Sequence, residues 1–153
     1  QLQPVSMRSV IKQLKQYYEA VPNTCTLNFQ CPDSFVYSKE ELLFTMLRNL
    51  IDNAIKASPP TATVFICGAL CDEGYRITVR DDGIGMREED IEQALQPFYM
   101  ADKSRARKQG GAGLGLSIVK RICDLHGSPL QIASKPQEGC SVTFLLEVVS
   151  DEN

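Results

Sequence analysis

Hydrophobic residues recur at two spacings along this chain, and the switches between them mark out its elements. Over residues 5–19, Val5, Val10, Ile11, Leu14 and Tyr17 or Tyr18 fall near helical spacing, which predicts an amphipathic helix ended before Pro22. Residues 24–30 change to a period of two, with Cys25, Leu27 and Phe29 alternating against Thr24, Thr26 and Asn28. That is a half-buried strand, and residues 35–37 are expected to form a short partner. A long helix then runs to about Ser58, with Ser38 as its cap, Glu41 completing a capping box, and Pro59-Pro60 ending it.

Residues 63–70 and 75–80 flank the turn-like Cys71-Asp72-Glu73-Gly74, which predicts a hairpin, and residues 87–95 predict a short helix. Residues 96–112 have no clean periodicity and are rich in Lys, Arg and Gly. Loops of that length within a compact domain are usually functional or mobile. A helix over 113–125, closed by Gly127, leads to a second hairpin over 130–134 and 140–149 around Pro136-Gln137-Glu138-Gly139. The order predicts an α+β fold, a two-layer α/β sandwich with helices on one face of a mixed, mainly antiparallel sheet.

Composition narrows the class. The 153 residues, 43% hydrophobic, suffice for one core, so one domain over residues 1–153 is expected. Formal net charge is −3, and Lys and Arg are dispersed except around 103–108, which gives a nucleic-acid face little support. No stretch approaches the roughly 20 apolar residues of a membrane span, and nothing resembles a signal peptide. A soluble piece without membrane contact is expected. Three of the six cysteines, Cys67, Cys123 and Cys140, sit in apolar runs, and none forms a Cys-x-x-Cys or zinc pattern with the single histidine. They read as reduced thiols behaving as small hydrophobes, which suits a cytoplasmic location.

Three short motifs carry the chemistry. On the long helix Asn49, Asn53 and Lys56 follow i, i+4, i+7 and share a face, beside the buried side of Leu43, Leu47, Leu50, Ile51, Ala54 and Ile55. Two carboxamides with a lysine next make a clamp for magnesium and phosphate, although a polar helix stripe is commonly only a solvated surface. In Asp81-Asp82-Gly83-Ile84-Gly85, a carboxylate at a strand end can accept from the amino group of adenine, and the glycines let the chain pass close beneath a base. The plain alternative is an Asp-Gly turn. Gly111, Gly113, Leu114, Gly115 and Leu116 open a helix, where backbone N–H groups and the helix dipole favour phosphate. No strand directly precedes these glycines, as the dinucleotide fingerprint requires, and no Gly-x-x-x-x-Gly-Lys-Ser occurs.

In this order the motifs resemble the ATP-binding catalytic domain of bacterial sensor histidine kinases, within the superfamily of gyrase, heat-shock chaperone and mismatch-repair ATPases. The resemblance runs from about Pro4 to Val148 and implies the Bergerat-type ATP-binding fold. Residues 49–56 match the asparagine box, which implies magnesium on Asn53, phosphate on Lys56, and catalytic roles for Asn49 and Lys56. Asp81 matches the acid that reads adenine, with Gly83, Ile84 and Gly85 beside it. Gln96-Pro97-Phe98-Tyr99 matches the phenylalanine box, and Gly111, Gly113, Leu114, Gly115 and Leu116 the second glycine box. Many relatives have arginine after Phe-Tyr and an aromatic after the box lysine, where this chain has Met100 and Ala57. Phosphate contact is therefore expected from Lys103 or Arg105, and base stacking from Ile84, Leu114 and Leu116.

The resemblance implies ATP and Mg2+ as cofactors, and transfer of the γ-phosphoryl to a histidine on a separate dimerisation domain, then to a response regulator. A membrane-anchored parent is implied too. His126 stands before Gly127 at a helix carboxyl end, where histidines cap carbonyls. The phosphoacceptor is thus expected elsewhere. Rival readings are an ATP hydrolase of the superfamily, an anti-sigma-factor-type serine kinase, or a nucleotide-binding module without catalysis. The first two usually carry glutamate where this chain has Asn49. The segment 100–112, with Lys103, Arg105, Arg107 and Lys108, is expected to act as a lid that orders on triphosphate.

Overall fold

The computed structural model describes residues 1–96 and 114–150, the side chain of Leu114 excepted. Strand β1 (Gln3–Ser6) leads into helix α1 (Met7–Ala20), followed by β2 (Thr26–Gln30), β3 (Phe35–Ser38) and helix α2 (Glu40–Ala57). The hairpin β4 (Thr63–Cys71) and β5 (Gly74–Asp81) precedes helix α3 (Glu88–Ala94). Helix α4 (Leu114–Leu125) and the hairpin β6 (Gln131–Ser134) and β7 (Cys140–Leu146) complete the order.

Five strands form one sheet in the order β2-β4-β5-β7-β6, with β2 parallel to β4 and the other pairs antiparallel. The inner face follows from alternation. Val64 and Ile66 of β4, Tyr75, Ile77 and Val79 of β5, and Val142, Phe144 and Leu146 of β7 are all buried. Against them lies α2, whose buried face is Leu43, Met46, Leu47, Leu50, Ile51 and Ala54. Helix α1 covers α2 with Met7, Val10, Ile11, Leu14 and Tyr18. The Tyr18 hydroxyl reaches the Asp52 carboxylate at 2.7 Å and the Arg48 carbonyl at 3.2 Å. The expected layering is present.

Three local expectations need correction. The first helix begins at Met7, not Val5, because residues 3–6 pair antiparallel with β3, Val5 opposite Val36. Ser6 is the cap, its hydroxyl accepting from the Ser9 N–H at 3.2 Å. The strand at 35–38 accordingly does not partner residues 24–30. Strand β2 finds its neighbour in β4 instead, and the β1–β3 ribbon joins the chain beyond β7 through a bridge between Val36 and Val148. The capping box at Ser38 and Glu41 is also absent. Lys39 holds the cap position without a side-chain bond, while fully buried Ser38 turns its hydroxyl to the His126 Nε2 at 2.8 Å.

Helix ends elsewhere follow the sequence. Ser58 is extended, as a residue before proline must be. At the end of α4, Gly127 takes φ +64°, the Ser128 N–H donates to the Cys123 carbonyl at 2.9 Å, and the Gly127 N–H to Asp124 at 3.1 Å, which is a Schellman closure. The His126 Nδ1 lies 2.7 Å from the Ile122 carbonyl and donates to it. In the neutral ring, Nε2 then accepts from Ser38. The histidine thus does cap a carbonyl, and it also joins α4 to β3. All six cysteines are free thiols, Cys123 being buried.

Candidate nucleotide-binding site

The alternation of β5 decides where the acid points. Tyr75, Ile77, Val79 and Asp81 stand on one face, so a carboxylate follows three apolar residues into the layer beneath the helices. Asp81 is 5% exposed. Its Oδ1 accepts from the Gly83 N–H at 2.8 Å, which turns the chain sharply at the strand end. Burial raises the carboxyl's pKa, the Gly83 N–H works against that rise, and the charge of Asp82 adds to it.

That turn is clamped between two elements. The Ile84 N–H donates to the Ala57 carbonyl at the end of α2, at 3.0 Å, and the Gln137 N–H in the β6–β7 turn donates to the Ile84 carbonyl at 2.6 Å. A side chain at Gly83 would collide with the Ala57 carbonyl oxygen. Gly85 has φ +67°, and a side chain there would strike the Lys135 carbonyl oxygen. Both positions require glycine, one for close approach and one also for its backbone conformation.

On α2, Asn49 and Asn53 stand one turn apart at the rim of the buried face. The Nδ2 atoms of both are buried and have no hydrogen-bond partner among the described residues, and the same holds for the neighbouring Arg48 Nε. Orphaned buried amides are costly, at about 1–3 kcal/mol each, so two side by side mark a place where a polar partner would be favoured. The first turn of α4 lies directly opposite. A Cβ at Gly115 would stand 3.2 Å from the Asn49 Cβ and 3.2 Å from the Asn53 Nδ2, so the amino end of α4 meets both carboxamides.

One of the two carboxamides, Asn53, shares a space with the acid. A cavity of about 30 Å3 is lined by Leu50, Asn53, Ala54, Val79, Asp81, Met86, Leu116, Cys140 and Val142. It has room for water rather than for a purine. A second cavity, of about 600 Å3, opens beside the turn and includes Asp81, Met86 and Cys140 with Arg80, Glu88, Ile132 and Lys135. It contains neither asparagine. The smaller space is therefore the one that joins Asn53 to Asp81.

The predicted residues fare differently. Asn49 and Asn53 meet Gly115, Asn53 and Asp81 line one cavity, Gly83 and Gly85 lie in the turn that follows Asp81, and Leu116, 2% exposed, forms part of the cavity wall and the core. Ile84 is 50% exposed on the turn and Lys56 is exposed in the last turn of α2. Lys103, Arg105, Gly111, Gly113, Met100 and most of the phenylalanine box lie outside the described residues, as does the segment expected to form a lid. Sequence reasoning passed over Met86, Cys140 and Ser134. Burial pushes the Cys140 thiol up to about 11, with the Asp81 charge adding to the rise and the nearby Ser134 hydroxyl opposing it.

A family model described as "Histidine kinase-, DNA gyrase B-, and HSP90-like ATPase" matches residues 38–150, which include this whole arrangement. The chain belongs to that family. It is 39% identical over 137 residues to the sensor histidine kinase YkoH of Bacillus subtilis, covering 90% of this chain and 29% of that protein. The match to the sensor histidine kinase CpxA of Escherichia coli is 34% over 128 residues, 84% of this chain and 28% of CpxA. The chain thus spans under a third of these relatives. The fold matches that of the mycobacterial sensor histidine kinase MprB with a TM-score of 0.78 at 24% identity, covering 97% of this chain and 98% of that one. Within the family the chain has the character of the ATP-binding catalytic domain of sensor histidine kinases.

With Asp81 as the acceptor of the adenine amino group, its raised carboxyl pKa would make binding depend on pH. Because the folded chain holds this proton more readily than the unfolded chain, its contribution to stability falls as pH rises through the interval between the ordinary and the raised value. Adenine recognition has the opposite sign, since only the carboxylate accepts without also donating. Adenosine titrated by calorimetry should therefore lose affinity on acidification at a pH above the ordinary aspartate range. A profile that stays flat until that ordinary range would reject Asp81 as the acceptor.

Proposed function

We propose that this ATP-binding domain delivers the γ-phosphoryl of ATP to a histidine on a separate domain of its parent protein, from which it passes to a response-regulator aspartate. The observation that carries this reading is the pair Asn49 and Asn53, two buried carboxamides with unpartnered Nδ2 atoms facing the start of α4. No carboxylate stands at position 49 to activate water, and Asp52, the acid next in sequence to Asn53, is engaged by Tyr18. The arrangement positions phosphate without supplying a base, as phosphoryl transfer to an imidazole that is itself the nucleophile allows.

The donors present suit magnesium. Among the described residues no cluster of three His, Cys, Asp or Glu could cage a metal, and Mg2+ characteristically leans on substrate phosphates with one or two side-chain oxygens. Asn53 would supply the carboxamide oxygen, with Asn49 beside it. The ion would neutralise phosphate charge as transfer proceeds. Lys56 and, beyond the described residues, Lys103 and Arg105 would spread the remaining charge, while Asp81 would orient the base. The parent protein is read as membrane-anchored by likeness to its relatives. Among the described residues no helix is long and apolar enough to cross a membrane.

Incubation with radiolabelled ATP, Mg2+ and a purified dimerisation and phosphoacceptor domain tests this. Label should appear on the acceptor, lost in acid and retained in alkali. Release of inorganic phosphate with no labelled acceptor would favour a hydrolase instead, and binding without either would leave a nucleotide-binding module.

A further inference from the structure

The turn at residues 82–87 has no helix or strand of its own, so its position depends on what its neighbours hold. Two of its ties, to Ala57 and to Gln137, are backbone to backbone. The third uses a side chain. The Met86 N–H donates to the Ser134 Oγ at 2.9 Å, and the same hydroxyl donates to the Gly139 carbonyl at 2.7 Å. Gly139 sits in the left-handed region at φ +81°, and a side chain there would collide with the Asp81 carbonyl oxygen. One hydroxyl therefore links the far end of the turn to Gly139, whose backbone lies close against that of Asp81 and Asp82.

We infer that Ser134 is a positioning residue for the nucleotide: it fixes the Asp81–Met86 turn against the β6–β7 hairpin without touching the base. The inference rests on the reading of Asp81 as the acceptor of the adenine amino group. Its chemistry is specific to a hydroxyl. The Met86 amide needs an acceptor and the Gly139 carbonyl a donor, and a rotating O–H supplies both from one atom. Alanine supplies neither. The turn then keeps its ties at Gly83 and Ile84, while Met86, a wall of the cavity that holds Asp81 and Asn53, loses its anchor.

The test compares wild type, Ser134→Ala and Ser134→Thr in the whole chain, with ADP and GDP as probes so that no turnover intervenes. ADP affinity should fall about 5- to 30-fold in S134A and the preference for ADP over GDP should narrow, while S134T, which keeps the hydroxyl, restores both. Hydrogen exchange without nucleotide should quicken at Met86 in S134A and stay unchanged along β4. If alanine leaves too little folded protein, Ser134→Cys, which keeps the volume but accepts poorly, gives the same comparison. Unchanged ADP affinity and base preference in a variant lacking the hydroxyl, or equal losses in S134A and S134T, would overturn the positioning role. Failure of wild type to bind ADP would instead overturn the functional reading beneath it.

Discussion

Replacing Asp81 by asparagine is expected to erase the preference for adenine over guanine nucleotides while leaving the fold in place. The fold should survive because asparagine keeps an Oδ1 for the Gly83 N–H and removes a charge that burial disfavours. Recognition should not survive. A carboxylate only accepts, which matches the amino group of adenine, whereas a carboxamide can turn its NH2 toward the carbonyl that guanine presents at the same place. Losing a hydrogen bond to a charged group is worth about 1.5–3 kcal/mol, or roughly 10- to 150-fold in relative affinity. Competition between ADP and GDP reads this directly. A variant that retained the full adenine preference would show that the base is read elsewhere.

The second large effect is expected at Asn53. Asn53→Ala should weaken binding of magnesium-ATP by about 1.5–3 kcal/mol and weaken binding of metal-free ATP much less. Phosphotransfer should fall at least as far, because the group that is lost acts where charge is redistributed. The helix itself should tolerate the change, since Asn53 has no hydrogen bond from its Nδ2 to lose and alanine is the better helix former. Calorimetry with and without magnesium separates the two contributions. Equal losses in both conditions would remove the metal from this side chain and leave Asn53 a phosphate contact only.

The elements that carry the site were legible because each is governed by local rules. The 3.6-residue period of α2 already put Asn49 and Asn53 together at the rim of an apolar face, and the Asp-Gly sequence at the end of β5 already required a turn. What the sequence left hidden depends on partners distant along the chain. Nothing near Val5 indicates that Val36 will pair with it, so the opening residues read as helix. Ser38 and Glu41 have the spacing of a capping box, but the box competes with the half-buried imidazole of His126, 88 residues away, and the imidazole wins. Ser134 reads as an ordinary polar residue in a short strand. Only the return of the turn at residues 82–87 to the β6–β7 hairpin gives its hydroxyl two partners. The side-chain burial of Asp81 lay between these cases, implicit in the alternation of β5 yet easily taken for a surface acid.

Tyr18 gives the asparagine pair a further property. Its hydroxyl fastens α1 to Arg48 and Asp52, the residues immediately before Asn49 and Asn53, so the turn of α2 that bears the carboxamides is secured through their chain neighbours. Their Nδ2 atoms are therefore not needed to hold the helix and keep their donor capacity in reserve. A triphosphate bound at the start of α4, as proposed, would meet a rail with unspent polarity whose ordering has already been met by folding rather than by the ligand.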